Sequence, residues 1–517
     1  MAQLPIVFPS LGFLGLNKEK AFTPLAPEWA VQADNAVIDS AGRYAARQGY
    51  VNQTATPATG SPAFLSLHEY IVGDGTTRLI AGSAAKLWDS SDNGSTWTDR
   101  TGALTPSGGQ WQLFDFNKKT MGVQIGHSMI VKTGAGNFAN VTASSGSVPT
   151  SPVAAHGAFG RVWAISNDYQ TLNWSALLDE TKWATADGAG LVNMTSVWTQ
   201  GMDQALAVAS FNGRIVVFGK RHIVIWTDGQ GSALGLDPTK MYVEQVIEGA
   251  GISARDSIQP VGEGELLFLS QNGIRSLVQV KQEDGSPFVS VTDNLRSYVA
   301  TTYLGSNIDQ TKVRSLYSPE QGFYLLVSPD VNASLYVNLR VRLPDGSRPV
   351  FEWPGVIPGS VCRRVNGDIL YGFSGTVGKY GGYLDGASTY QFTFFSGFLD
   401  LSAYSKEDPI NQYFKELKEI RAQVYCPGGY TVTLLWKWDW SPTQYSDTLT
   451  FTGDTTAEYG TAQYGIAEYG GSLAQRDGQR PGWASGQFLA IGITTTINAQ
   501  PFAFQSLTAY LELGNIA

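Results

Sequence analysis

From about Phe64 onward the chain cycles through short runs of β-branched and aromatic residues, each closed by Gly, Asn, Asp or Ser. No long stretch carries the 3.6-residue period of an amphipathic helix, so the pattern predicts strands and tight turns. Several units share one shape, a glycine turn followed at once by an apolar strand. They are Gly160-Arg161-Val162-Trp163-Ala164-Ile165, Gly213-Arg214-Ile215-Val216-Val217-Phe218, Gly273-Ile274-Arg275-Ser276-Leu277, Gly322-Phe323-Tyr324-Leu325-Leu326-Val327 and Gly367-Asp368-Ile369-Leu370-Tyr371. Their glycines are 53, 60, 49 and 45 residues apart. That is near the roughly 40 to 50 residues of a four-stranded propeller blade. The expectation is an all-β chain with a β-propeller of six or seven blades over residues 61–390.

The texture changes after Tyr390. Phe392-Thr393-Phe394-Phe395, Glu419-Ile420-Arg421-Ala422-Gln423-Val424-Tyr425 and Tyr430-Thr431-Val432-Thr433-Leu434-Leu435-Trp436 alternate as paired strands do. Residues 391–517 therefore read as a β-sandwich, and residues 1–60 as an arm that closes or braces the propeller. Lys415-Glu416-Leu417-Lys418-Glu419 fits one helical turn, but only a strand places Ile420, Ala422 and Val424 on one face. Within the sandwich, Ala457-Glu458-Tyr459-Gly460, Ala462-Gln463-Tyr464-Gly465 and Ala467-Glu468-Tyr469-Gly470 repeat every five residues. Tyr459, Tyr464 and Tyr469 on a glycine-rich loop suit a surface for a partner protein or a sugar, because each offers an apolar face with a polar tip. The same loop can equally fold over its own sandwich.

One segment matches a defined turn. Ser90-Ser91-Asp92-Asn93-Gly94-Ser95-Thr96-Trp97 follows the aspartate box, S-x-D-x-G-x-T-W, found in the hairpins of sialidase-like propellers. Asp92 and Asn93 can bond turn amides, Gly94 supplies positive φ, and Trp97 packs beneath the sheet. Ser90, Asp92, Gly94 and Trp97 are therefore expected to be structural, since in those families the box stabilises blades away from any active site.

Composition narrows the function. Of 517 residues, 43% are hydrophobic and only 15% charged, against roughly 25% charged in ordinary soluble domains. Such a chain buries much or assembles much. Thirty-five Lys and Arg against 44 Asp and Glu give a formal charge of −9, which disfavours tight gripping of nucleic acid yet suits DNA that slides past. Cys362 and Cys426 have no zinc spacing and are expected to be reduced core residues. The N-terminus lacks a signal-peptide pattern and no run reaches 18 apolar residues, which predicts synthesis in the cytoplasm and no membrane-spanning segment. His68, His127, His156 and His222 form no ligand pair, and no phosphate loop, dinucleotide fingerprint or G-x-S-x-G elbow is present. No catalytic, cofactor or metal site is expected. Two alternatives stay open. A sialidase-like glycan hydrolase would need converging arginines and a carboxylate–tyrosine pair. A carbohydrate-binding adhesin would stack exposed Trp and Tyr on sugar rings.

Across most of its length the chain resembles the nozzle or hub proteins of short-tailed phages, also called tail tubular protein B or phage stabilisation proteins. The matching residues are Gly15-Leu16-Asn17, Leu25-Ala26-Pro27-Glu28-Trp29-Ala30, Asn35-Ala36-Val37-Ile38 and Arg47-Gln48-Gly49-Tyr50. They continue with Arg161-Val162-Trp163, Trp174-Ser175-Ala176, Trp183, His222-Ile223-Val224-Ile225-Trp226, Gly249-Ala250-Gly251-Ile252, Asp256-Ser257-Ile258, Leu267-Phe268-Leu269-Ser270, Asn272-Gly273-Ile274 and the Tyr-Gly repeat. The resemblance implies a propeller-plus-sandwich subunit, six copies ringed about the tail axis, and a virion component that extends the DNA channel and gates genome retention and ejection. It further implies a tail adaptor above, tail fibre or needle and spike proteins as neighbours, and genomic DNA passing without tight binding.

Overall fold

A computed structural model describes residues 3–516, apart from positions 9, 21–24, 200, 230–234, 263, 279–287, 402–409 and 452–473. Strands make up most of the regular structure of the described residues, with one short α-helix, Arg296–Thr302, and several 3-10 turns. Six antiparallel four-stranded sheets stand alone as propeller blades. Five run in chain order over 66–99, 112–140, 154–193, 205–248 and 259–290. The sixth is built from Ser360–Arg363, Ile369–Gly372 and Val377–Tyr380, with Tyr50–Asn52 as its outermost strand. Between the fifth and sixth, a further four-stranded meander over 314–354 takes its place in the ring, touching the blade on either side.

Apolar packing between neighbouring blades explains why the ring closes. Tyr70, Ile80 and Leu87 of the first blade meet Trp111, Ile130 and Phe138 of the second. Phe116 and Met121 meet Val162 and Ala164 of the third, Trp163 and Leu172 meet Val208 and Val217 of the fourth, and Val216 and Phe218 meet Leu266 and Phe268 of the fifth. The last gap is filled by Cys362, Leu370 and Val377 against Leu67, Leu79 and Trp88 of the first blade. The inner strands feed both faces into such gaps, which is why runs such as 215–218 and 266–269 are continuously apolar rather than alternating, while the outermost strands of the first and second blades are exposed.

The glycine repeat marks one place in the blade. Gly160, Gly213, Gly322 and Gly367 all sit in the turn between first and second strands, at positive φ of 67°, 76°, 65° and 89°. Gly273 breaks the series, because it begins the third strand of the fifth blade; the equivalent glycine there is Gly264. The first strand of that blade, Gln259–Val261, is three residues with a central proline and leaves no apolar run to read.

The second domain is a sandwich of two sheets that draws on both ends of the chain. One sheet holds Tyr413–Cys426, Ala474–Pro481, Ser485–Gly486 and Ala503–Ile516 with the N-terminal strands Leu4–Phe8, Ala36–Ile38 and Tyr44–Ala46. The other holds Tyr390–Ser396, Tyr430–Trp438, Tyr445–Phe451 and Leu489–Ile497, and reaches the 314–354 meander through Trp29–Asp34. The N-terminal sixty residues thus divide: 4–46 contribute strands to the sandwich and only Tyr50–Asn52 enters a blade. The segment around Lys415 is strand. A register shift between Leu417 and Glu419 changes the alternation, so Lys415 and Leu417 are followed on the core face by Ile420, Ala422 and Val424.

Propeller and sandwich share one core. Phe323, Tyr336 and Trp353 of the meander and Tyr380 of the closing blade lie in the same cluster as Tyr44, Phe392, Phe394 and Phe504 of the sandwich. Trp353 stacks on Tyr336 and Tyr380 at ring separations of 5.0 and 5.9 Å, and its Nε1 donates to the Ala36 carbonyl at 3.1 Å. Beside it the buried Arg47 guanidinium donates to both Asp385 oxygens at 2.8 and 2.6 Å, donates to Asn35 Oδ1 and lies 4.1 Å from the Tyr390 ring. Its paired geometry satisfies a charge that burial would otherwise make costly. The backbone is equally tight, since a Cβ on Gly49 would stand 2.0 Å from the Leu384 carbonyl oxygen.

Candidate functional site

Two places in the ring carry the polar residues that sequence reasoning singled out or passed over. The first is the aspartate box, the turn between the third and fourth strands of the first blade. Asp92 organises it. Its carboxylate accepts from Ser90 Oγ at 2.6 Å, from the Thr96 amide at 2.9 Å and from Thr96 Oγ1 at 2.5 Å, while Ser90 Oγ accepts the Gly94 amide at 2.8 Å. Asn93 and Gly94 take positive φ of 60° and 89°. Burial works to raise the Asp92 pKa, but the hydrogen bonds from Ser90 and Thr96 outweigh it and hold the carboxyl at about 2.

What this turn grips is the ring closure. Thr54, just beyond the outermost strand of the closing blade, donates its hydroxyl to the Gly94 carbonyl at 2.8 Å and accepts the Val377 amide at 2.9 Å. The Ala55 and Thr56 amides both reach the Ser95 carbonyl. Trp97 packs edge-on to Phe64 at 4.8 Å and joins the cluster between the first and closing blades. Ser90, Asp92, Gly94 and Trp97 are thus brought together at the seam where the propeller's two chain segments meet.

The second place lies on the opposite face, among the segments that lead into each blade's first strand. Arg255 Nη1 donates to the Val153 carbonyl at 2.7 Å, ahead of the third blade, although Arg255 itself precedes the fifth. Arg314, in the meander, reaches the Leu65 carbonyl ahead of the first blade at 3.4 Å. Each bond skips a blade, so both are chords across the ring, and they converge on the Asp256 carboxylate at 3.0 and 2.5 Å. The bore of the propeller is bridged at this end. Burial pushes the Asp256 pKa up, yet Arg255 and Arg314 together hold it below the ordinary carboxylate range; burial lowers Arg314 to about 10 despite Asp256.

Asp256 lay within a segment noted for its resemblance, as did Arg47 and Gly49, but nothing in spacing joins residues 65, 153, 255 and 314. Tyr459, Tyr464 and Tyr469 lie outside the described residues. The histidines are dispersed with separate partners: His68 with Asp115, His127 with the Ser128 carbonyl, His156 with Ser210 and His222 with Asp203. Cys362 and Cys426 are buried free thiols, pushed up to about 12 and about 11 by burial. Among the described residues no group of three or more His, Cys, Asp or Glu is placed to hold a metal, and no helix is long and apolar enough to cross a membrane.

The sheets and their circular order define a β-propeller joined to a β-sandwich. No protein-family model matches the chain, and no curated protein matches it either. Solved structures similar to it include YCF48 bound to D1 peptide, with 15% identity over 65% of this chain and 95% of that one, at a TM-score of 0.38. The WD40 β-propeller domain of Doa1 is similar at 15% identity over 64% of this chain and 96% of that one, TM-score 0.35. The extracellular domain of BT4673 from B. thetaiotaomicron is similar at 8% identity over 90% of this chain and 62% of that one, TM-score 0.42.

Proposed function

We propose that this protein is a non-enzymatic structural subunit of a short phage tail, and that a ring of its copies, six by resemblance, forms the nozzle that continues the DNA channel and gates retention and ejection of the genome. The observation that carries this reading is the joint: a propeller clasped at its seam, bridged across its bore and fused to a sandwich through one core is built to hold shape under load. Because the bore is bridged by Arg255, Asp256 and Arg314, DNA would travel between copies rather than through any one propeller. The net charge of −9 supports passage without tight binding. Adaptor, fibre and needle or spike proteins are the neighbours this reading requires.

A reconstruction of purified particles tests it. The expected result is a closed ring of this chain at the distal end of a short tail, with the lumen narrowed before ejection. A lumen open before ejection would remove the gating role, and glycan turnover by the isolated protein would contradict the non-enzymatic one.

A further inference from the structure

Between the fourth and fifth blades, on the face that carries the Arg255, Asp256 and Arg314 network, lies a cleft of about 540 Å³. Its walls are the turn Lys220-Arg221-His222, the segment 248–251, and the turn Ser270-Gln271-Asn272 with Arg275. In a chain of net charge −9 this wall carries Lys220, Arg221 and Arg275; its lining carboxylate is Glu248, itself engaged by the Thr199 hydroxyl, and the Asp203 carboxylate lies buried beneath the cationic turn. Lys220 and Arg221 are exposed and make no ion pair among the described residues.

The turn that presents them is rigid. The buried Asp203 carboxylate accepts the amides of Lys220, Arg221 and His222 at 3.2, 2.8 and 2.9 Å, and His222 Nδ1 lies 3.0 Å from it. Gln271 Nε2 reaches the Lys220 carbonyl at 3.4 Å from the facing wall. Gly251 lies so close that a Cβ there would stand 2.2 Å from the Lys220 carbonyl, so the two walls meet backbone to backbone below the cations. Asp203 thus occupies the turn's own amide nest, and the cationic side chains project from a fixed base, which reduces the ordering cost of binding.

We propose that this cleft binds a compact oxyanion, a phosphate or carboxylate group carried by an acidic sugar. Its volume falls within the range of small-molecule sites. A concave pocket with three cations suits one or two charged groups; a duplex would need cations spread along a phosphate track. Lys220 and Arg221 supply the charge, Arg275 closes the far side, and the Asn272 side chain offers hydrogen bonds to hydroxyls. Phosphate and carboxylate share this chemistry, and the test separates them.

Inorganic phosphate and glucuronate are titrated in parallel into the full chain at low ionic strength, with binding read by calorimetry. One or both should bind in the millimolar range or tighter, and whichever binds more tightly identifies the group. The double variant Lys220→Gln/Arg221→Gln should weaken binding at least tenfold, and Glu248→Gln should tighten it about threefold. Lys240→Gln, outside the cleft, should change nothing. The proposal is overturned if neither anion binds, or if the double variant binds as well as the unaltered protein. It is equally overturned if a DNA duplex, and neither small anion, binds in a manner that requires Lys220 and Arg221.

Discussion

The propeller is held shut at two places that differ in kind. At the seam between first and closing blades, a three-residue strand, Thr54 and the aspartate box do the fastening, over a small cluster centred on Leu67, Leu79, Trp88 and Val377. At the joint with the sandwich, the core runs unbroken from Leu325 and Trp353 through Tyr44 to Ile491, with the buried Arg47 paired to the partly buried Asp385 beside it. The seam relies on directed hydrogen bonds at a partly exposed turn, which are individually worth little net stability. The joint relies on buried apolar area and a desolvated ion pair, where single deletions are costly. Opening of the ring should therefore begin at the seam, while the joint sets the stability of the whole.

Trp353→Ala should have the largest effect. Removing a fully buried ring stacked between Tyr336 and Tyr380 is expected to cost about 3 to 5 kcal/mol and to lower the melting of both domains together in calorimetry. Two separated transitions would show that the shared core does not couple them. Asp256→Asn should come next, at about 3 kcal/mol, because it leaves the Arg255 and Arg314 guanidinium groups side by side without the carboxylate they share. Denaturant unfolding measures this, and an unchanged midpoint would mean that the chords do not brace the ring.

Thr54→Val should cost about 1 to 2 kcal/mol, through the unmatched Val377 amide and Gly94 carbonyl. Its signature should be local: faster hydrogen exchange at 50–56 and 377–380, with the sandwich strands unchanged. If exchange rose equally everywhere, the seam would not be a separate opening unit. The smallest effect belongs to Asp92. Its folded pKa of about 2 lies below the ordinary aspartate value, so its contribution is present above about pH 4 and is lost as pH falls toward 2. The stability difference between the unaltered protein and Asp92→Asn should accordingly be small at pH 7, because the turn is solvent-screened, and should vanish near pH 2. A difference that grew on acidification would contradict the hydrogen-bonding assigned to Asp92.

Most of the blades were legible because a glycine turn is followed by an apolar strand, and Gly160, Gly213, Gly322 and Gly367 do mark one turn type; the second blade turns instead on Asn117 and Lys118. The sandwich's use of the N-terminus was not legible: Leu4–Phe8 pairs with residues 507–511, and no local pattern records a partner so distant. Likewise the box could be read as a turn from Asp92, Asn93 and Gly94, but its grip on Thr54 depends on ring closure. The network around Asp256 is assembled from four separated segments, and the cationic cleft from three. In both, side chains converge because blades are arranged in a circle, which is information held in the topology rather than in spacing.

The most direct test of the proposed role is immunogold labelling of purified phage particles with an antibody against this chain. The account predicts label at the distal end of a short tail. Particles that carry no label would contradict it.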